Sequence, residues 1–487
     1  VTDDDWVRGF DSETPRGFVG CLCDSTGAVI KSRETETLLE WLYARGQGHM
    51  NVWWHVDYDL ACILKPYLVR EKERVRDDYR GWLKHQREFV EAVVTLAAID
   101  VEAAANGWNR DLMERRRQAW LKTKITLKSP ETFQIRTGAD GRPLAVGWSL
   151  RWVPHKGFSL RPIQKRAKAV YFFDAMPFFS VGNLGDTASL DAAMRTHLGY
   201  GKTDAEKGID RALIGLDEDN YFARNEQAIT DYCCDDSAGT AALFRLTIQS
   251  YENIARVVGP KGVRVTFPEH PWSRASVGRE MLNNMGTMEP TQARWKGLPR
   301  QTRDYIRRCY HGAVILTLRA GAYDDVVDFD IGSAYPAAAA ALPSMEDARV
   351  LDYSDEEFAR CQFKFYTVRM SPTPRCPFLD EQEDCLKYYL GGEPRLYHVT
   401  QIDLDLLDAF GDRYEVVEGM GFLCPDERPP LDYFHVLFDA KADVKRQFGK
   451  DSVEYLNLKV GLLNGVYGIL ASAKPREGPL TNFCYAS

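Results

Sequence analysis

The chain has 487 residues, 45% of them hydrophobic and 27% charged, with a formal net charge of −8. Such proportions exclude a wholly disordered chain, a collagen and a small disulfide scaffold, and the length suits two to four domains of about 150 residues each. The longest weakly polar run, Ala92 to Ala105, is broken by Asp100 and Glu102, so it falls short of the ~20 apolar residues that a membrane helix needs.

In chain order, residues 7–11, 17–23 and 28–30 read as strands separated by Gly, Asp and Ser turns. Residues 34–46 repeat with helical period through Leu38, Leu39, Trp41 and Leu42. Asn51 to Trp54 is a short aromatic strand, and Asp57 to Leu68 is a helix. This alternation predicts an α/β domain. Residues 69–121 read as charged helices broken at Gly81, Gly107 and Asn109. From Phe133 to Phe173 the pattern returns to strands, with turns at Ala139-Asp140-Gly141 and His155-Lys156-Gly157. A helix follows over Gln227 to Tyr251, and the Gly/Pro-rich stretch Val258 to Pro271 reads as a linker. Strands are expected at 314–318 and 326–331, and helices at 433–444 and 453–471.

Net charge hides an asymmetry. Residues 65–128 hold fifteen Lys and Arg against ten Asp and Glu, a surplus of five, so the remainder carries −13. An acidic body with a basic segment suits metal-binding carboxylates beside a phosphate-binding surface. The eleven cysteines show no CxxC pairing, which points to neither a zinc module nor a disulfide framework, and a reducing cytoplasm is the expected setting.

Three acidic motifs stand out. In Asp11-Ser12-Glu13 two carboxylates share one face of a strand. Their repulsion is relieved by a hard divalent cation with oxygen ligands. His55-Val56-Asp57-Tyr58-Asp59 sets acids where a strand gives way to a helix. Tyr232 and Asp236 stand one helical turn apart. In this order the three resemble the motifs of the DEDD-type 3′→5′ exonuclease domain of family B DNA polymerases, in the variant whose third motif carries Tyr. The resemblance implies that Asp11, Glu13, Asp59 and Asp236 hold two Mg²⁺ or Mn²⁺ ions and that Tyr232 orients the attacking water. Asp57 and Asp235 compete for the register; Asp59 is preferred because it follows an aromatic residue and precedes an apolar helix. His55 stands where the family often has an Asn that contacts single-stranded DNA. Lys202 resembles a lysine that assists the exonuclease in protein-primed members.

A second set resembles the polymerase motifs of the same family. Asp328-Phe329-Asp330-Ile331-Gly332-Ser333-Ala334-Tyr335-Pro336 is similar to motif A. It implies Asp330 as metal ligand, with Asp328 as rival, and Ser333 and Tyr335 at the incoming nucleotide. Lys459 to Gly468 is similar to motif B, with Asn464, Tyr467 and Gly468 matching. Gly465 replaces the usual Ser, and Lys459 stands five residues before Asn464 where the family has four, a rotation of ~100° on an α-helix. A local bulge, or another cation such as Arg446 or Lys450, would resolve the offset. Tyr310, His311 and Gly312 resemble the element that contacts single-stranded template.

The third palm motif, a DxD hairpin, is not found after Tyr467. Because the chain opens on Val1 and closes at Ser487, a piece of a longer protein is expected, with that motif beyond it. The resemblance implies an α/β fold in two parts. The first is an RNase H-like exonuclease domain over 1–257 with a basic helical insertion at 69–121. After a linker at 258–300 comes a polymerase palm with an RRM-like α+β sheet over 301–432, then partial helical fingers over 433–487. The implied partners are primer-template and single-stranded DNA, dNTP and a priming protein met between Tyr335 and Lys441, with the chain a monomer away from membranes. Two other readings stay open: a stand-alone exonuclease with a degenerate polymerase half, and a non-catalytic module binding DNA ends or a primer protein.

Overall fold

The structure is a computed structural model. It describes residues 6–70, 130–164, 166–179, 189–310, 334–371, 379–380, 387–388, 393–425 and 429–470, with single positions or short groups at 95, 98–99, 102, 111–113, 115–116 and 327. The chain divides into two compact units, Val1–Ser250 with Pro268–Ser273, and Tyr251–Phe267 with Arg274–Ser487.

The first unit is built on an eight-stranded sheet. Its strands are β1 (Val7–Glu13), β2 (Cys21–Asp24), β3 (Val29–Ile30), β4 (Met50–Trp53), β5 (Glu131–Thr137), β6 (Pro143–Val153), β7 (Gly157–Pro162) and β8 (Val170–Asp174), in the order β3-β2-β1-β4-β8-β7-β6-β5. β1, β4 and β8 run parallel, and the strands on either flank are antiparallel. The three parallel strands therefore end on one edge, at Glu13, Trp53 and Asp174. That is the edge where α/β sheets gather functional groups.

Helices α1 (Thr35–Gly46) and α2 (Val56–Arg70) supply the crossovers. α2 begins where the strand-to-helix transition is expected, after His55 adopts a left-handed φ of 58°. Phe10 stacks on Trp53 at 5.8 Å and meets Phe172 edge-on at 5.3 Å, all three fully buried. Each such ring contributes roughly 1.5–3 kcal/mol by leaving water, so β1 is pinned at the sheet centre. Around it pack Leu38, Leu39 and Leu42 of α1 and Leu60, Ile63 and Leu64 of α2.

Four further helices follow: α3 (Leu190–Leu198), α4 (Arg211–Leu216), α5 (Tyr221–Arg224) and α6 (Glu226–Val258). Ser189 caps α3 by accepting from Ala192 N at 3.1 Å, and Asp210 caps α4 through Ala212 N at 2.9 Å. α6 lies against β1 and β2. The Ser237 hydroxyl donates to Cys23 O at 3.3 Å, and the Cys233 thiol donates to Asp11 O at 3.3 Å. Gly9 makes this approach possible, since a Cβ there would meet the Ser237 carbonyl and come within 2.9 Å of Ala241 N.

The second unit opens with helices α7 (Arg274–Asn284), α8 (Met288–Gly297) and α9 (Arg300–Cys309). The Gly/Pro content thus marks only the turn before residue 274, and much of the stretch expected to link is helical. α10 (Ala334–Ala341) precedes β9 (Arg349–Asp352), β10 (Phe363–Met370), the short ribbon β11 (Leu379–Asp380) and β12 (Lys387–Tyr388), β13 (Arg395–Thr400), helix α11 (Gln401–Phe410) and β14 (Tyr414–Leu423). An antiparallel sheet in the order β13-β10-β14-β9 packs Val368, Val399 and Tyr366 against Leu404 and Leu407 of α11. Asp403 stands in the first turn of α11: its carboxylate accepts from Thr400 N at 2.7 Å and Thr400 Oγ1 at 2.8 Å, and the Thr400 side chain accepts from the Asp403 backbone N–H in return, a capping box.

The remaining elements are α12 (Phe434–Phe448), α13 (Val453–Leu456), a π-helix (Asn457–Asn464) and α14 (Gly465–Leu470). The described helices match those expected at 433–444 and from 453, but the second is interrupted by the π-helix. Among the described residues no helix is long and apolar enough to cross a membrane. The strands expected at 314–318 and 326–331, nearly all of the basic segment, and Asp328, Asp330, Ser333 and Gly312 lie outside the described residues.

Candidate active site

β1 is extended through Glu13, so Gly9, Asp11 and Glu13 occupy one face and Phe10 and Ser12 the other. α6 crosses the first face. One turn of helix separates Tyr232 from Asp236 and aims both at the strand. The carboxylate oxygens of Asp11, Glu13 and Asp236 consequently lie within 4.8 Å of one another. Residues more than 220 positions apart meet because Gly9 allows the helix to seat.

Asp59 stands one step outside this trio. It sits in the first turn of α2, and its Oδ1 accepts from Ser12 Oγ at 2.5 Å, on the other face of β1. It remains near enough to repel Asp11. Its competitor Asp57 is fully engaged elsewhere. Oδ1 accepts from Trp152 Nε1 at 2.7 Å, and Oδ2 accepts from the His155 backbone N–H at 2.9 Å and faces His155 Nδ1 at 3.2 Å. Asp57 therefore ties the start of α2 to the β6–β7 turn. Asp235, the other competitor, takes the Thr203 hydroxyl at 2.7 Å and pairs with Lys207.

Lys202 enters from the segment between α3 and α4. Its backbone N–H donates to Asp191 Oδ1 at 2.8 Å, which fixes the loop. Its Nζ donates to the Tyr232 hydroxyl at 2.8 Å and to Asp236 Oδ2. Asp236 Oδ1 is buried without a hydrogen-bond partner.

The electrostatics follow from this crowding. Burial raises the Asp11 carboxyl well above the usual carboxylate range, and repulsion from Asp236, Asp59 and Glu13 adds to it. Burial likewise raises Glu13, partly offset by Lys202. Burial pushes Asp59 up to about 7 against the pull of the Ser12 hydrogen bond, and burial also raises Asp236 despite its Lys202 pair. Burial opposes the charge on Lys202, yet Asp236, Asp11 and Glu13 outweigh it and raise the ammonium above its ordinary value. Burial, followed by the three carboxylates, raises the Tyr232 phenol, so it stays neutral. Hard oxygen donors, an orphan carboxylate oxygen and acids held above their ordinary range together fit a divalent cation.

His55 is exposed at the turn into α2, its N–H donating to Asp174 Oδ1 at 3.0 Å. Asp174 itself was not singled out from the sequence. It closes β8, accepts also from Met176 N at 3.0 Å, leaves Oδ2 without a hydrogen-bond partner, and is raised to about 7 by burial. Its signal was an acid ending the apolar run Val170–Phe173.

In the second unit Tyr310 follows α9 half-buried, and Tyr335 is 47% exposed in the first turn of α10. Lys459 and Asn464, both exposed, are the third and the last residues of the π-helix, with Tyr467 and Gly468 in α14. A π-turn closes i→i+5 and so winds more residues into each turn than an α-helix, which brings residues five apart nearer to one face than an α-helix would. The one-residue excess between Lys459 and Asn464 falls within this π-helix. Gly461 lets the π-helix lie close to Tyr251, since a Cβ there would run into the Tyr251 hydroxyl.

No protein-family model matches the chain, and no curated protein matches it. Among solved structures it is similar to Phi29 DNA polymerase complexed with primer-template DNA and incoming nucleotide substrates, at 14% identity, covering 96% of this chain and 68% of that one with a TM-score of 0.48. An orthorhombic crystal form of Phi29 DNA polymerase matches at 13% identity, with coverages of 96% and 68% and a TM-score of 0.47. Phi29 DNA polymerase complexed with single-stranded DNA matches at 13% identity, with coverages of 96% and 67% and a TM-score of 0.45.

Proposed function

We propose that the first unit is a 3′→5′ exonuclease acting on single-stranded DNA, attached to a template-directed DNA polymerase of family B type. The observation that carries the reading is the convergence of Asp11, Glu13 and Asp236 within 4.8 Å, with Lys202 and Tyr232 hydrogen-bonded at its rim. Asp11, Glu13 and Asp236, with Asp59 beside them, would hold Mg²⁺ or Mn²⁺, two per site. Ions bound there supply Lewis-acid activation of water and stabilise a leaving 3′ oxygen.

The chain's own groups set up the rest. Tyr232, kept neutral, accepts from Lys202 and presents a phenol that orients rather than abstracts a proton. Lys202 offsets part of the carboxylate charge, which lets a phosphodiester approach an acidic cleft. Exposed His55 lies at the same sheet edge, at the end of β4, and is placed to meet the strand.

For synthesis, the reading assigns Asp330 as metal ligand, Ser333 and Tyr335 to the nucleotide sugar, and Lys459, Asn464, Tyr467 and Gly468 to dNTP. Tyr310 and Gly312 would contact template. The register of Lys459 with Asn464 across the π-helix supports the motif B assignment. Primer-template DNA is the partner, and a priming protein is a further one.

The test uses a 5′-labelled single strand with Mg²⁺ or Mn²⁺. Stepwise shortening from the 3′ end is expected, lost in the double variant Asp11→Ala with Glu13→Ala while strand binding persists. Undiminished shortening by that variant would place the chemistry elsewhere.

A further inference from the structure

Beside the carboxylates lies a second cluster of different chemistry. Cys21 and Cys23 sit two residues apart on β2 and so share a face. The antiparallel register sets Cys21 opposite Glu13 and Cys23 opposite Asp11. Cys233, between Tyr232 and Asp236 on α6, closes the group from above. The three sulfurs lie within 4.8 Å of one another, and all three residues are fully buried. Val29 and Phe222 pack around them, and Cys234 packs against the group at half-buried exposure. Each of the three is a free thiol.

We propose that Cys21, Cys23 and Cys233 form a binding site for a soft, thiophilic cation of the zinc type, with Cys234 at the edge as the fourth ligand. Four points support it. Thiolates select Zn²⁺ over the hard Mg²⁺ suited to the neighbouring carboxylates. Tetrahedral Zn–S bonds of ~2.3 Å set sulfurs roughly 3.8 Å apart, so three sulfurs within 4.8 Å need to close by about 1 Å at most. The apolar neighbours exclude water, as a closed structural site requires. The thiol protons, which now reach the carbonyls of Asp11 from Cys233 and Thr230 from Cys23, would leave to solvent, one for each Zn–S bond formed.

The consequence reaches the acids without touching substrate. An ion here would clamp β2, the partner of the strand bearing Asp11 and Glu13, to the turn of α6 bearing Tyr232 and Asp236. It is thus a positioning site, separate from the one that would hold Mg²⁺.

The experiment uses the full chain, purified from zinc-supplemented culture and analysed for metal by mass spectrometry. The chelator-stripped protein is then titrated with Co²⁺ while sulfur-to-cobalt charge-transfer absorption is followed. We expect one zinc per chain, a thiolate–cobalt band, and a melting temperature raised by the metal. Cys23→Ser and Cys233→Ser should weaken binding at least about tenfold, whereas Asp11→Ala with Glu13→Ala should keep the zinc and the band. A folded wild-type chain with no zinc and no thiolate band overturns the site, whatever the variants do. So does undiminished zinc in the cysteine variants, or a Cys23–Cys233 disulfide found by non-reducing peptide mapping of the native chain. A wild-type chain that binds zinc but does not shorten the strand would count against the exonuclease reading alone.

Discussion

Replacing Gly9 by Ala adds a single methyl group at the contact on which the site depends. The new Cβ would fall on the Ser237 carbonyl and 2.9 Å from Ala241 N, where ordinary contact begins at 3.4 Å. Both obstacles are backbone of α6, so no side chain can swing aside. The helix must retreat by on the order of 1 Å, and it carries Tyr232 and Asp236 with it. Overpacking of this kind costs roughly 1–3 kcal/mol of stability, and a ~1 Å misplacement of catalytic groups costs on the order of 10²-fold in rate. Denaturant unfolding measures the first quantity and single-turnover strand shortening the second. The expected result is a folded variant, 1–3 kcal/mol less stable by roughly that estimate, with shortening slowed far more than strand binding is weakened. A variant with wild-type stability and rate would refute the claim that the helix–strand contact at Gly9 assembles the site.

Two further outcomes follow from the same geometry. Asp57→Ala leaves the buried Trp152 Nε1 and the His155 N–H without their acceptor and should cost about 1–3 kcal/mol of stability while Mn²⁺ affinity persists. Asp59→Ala should lower Mn²⁺ affinity instead, and the reverse pattern, read by unfolding and metal titration, would exchange the two roles. The metal-free chain should lose stability as pH rises. Asp59 and Asp174 are raised from 3.8 to about 7, so the folded state binds more protons than the unfolded one between about pH 4 and about pH 7. Stability is then greatest at the lower end and falls toward the upper end. Mn²⁺, by replacing those protons at Asp59 and its neighbours, should flatten the slope; a metal-free melting temperature that rises across this window would contradict the burial of these acids.

The parts of the site readable from sequence are those governed by local period. An acid pair at i, i+2 on a strand and a Tyr–Asp pair at i, i+4 on a helix each declare a shared face, and the structure sets those faces against each other. What was not readable depended on distant neighbours. Asp57 is engaged by Trp152 and His155, about a hundred residues downstream. Three cysteines that looked scattered converge because β2 pairs with β1 and α6 lies across both, which no spacing along the chain reveals. The one-residue excess before Asn464 is visible in the sequence; the π-helix in which it falls is not. A single acid ending an apolar run, as Asp174 does, is a weak signal that no second residue in the sequence reinforces.

The central claim is that Asp11, Glu13 and Asp236, with Asp59 beside them, form a divalent-cation site. Equilibrium titration of the full chain with Mn²⁺, followed by electron paramagnetic resonance of the free ion, tests it most directly. Saturable binding that vanishes in the Asp11→Ala, Glu13→Ala double variant, with the folded content unchanged by circular dichroism, is the predicted result. Equal Mn²⁺ uptake by wild type and double variant would contradict it.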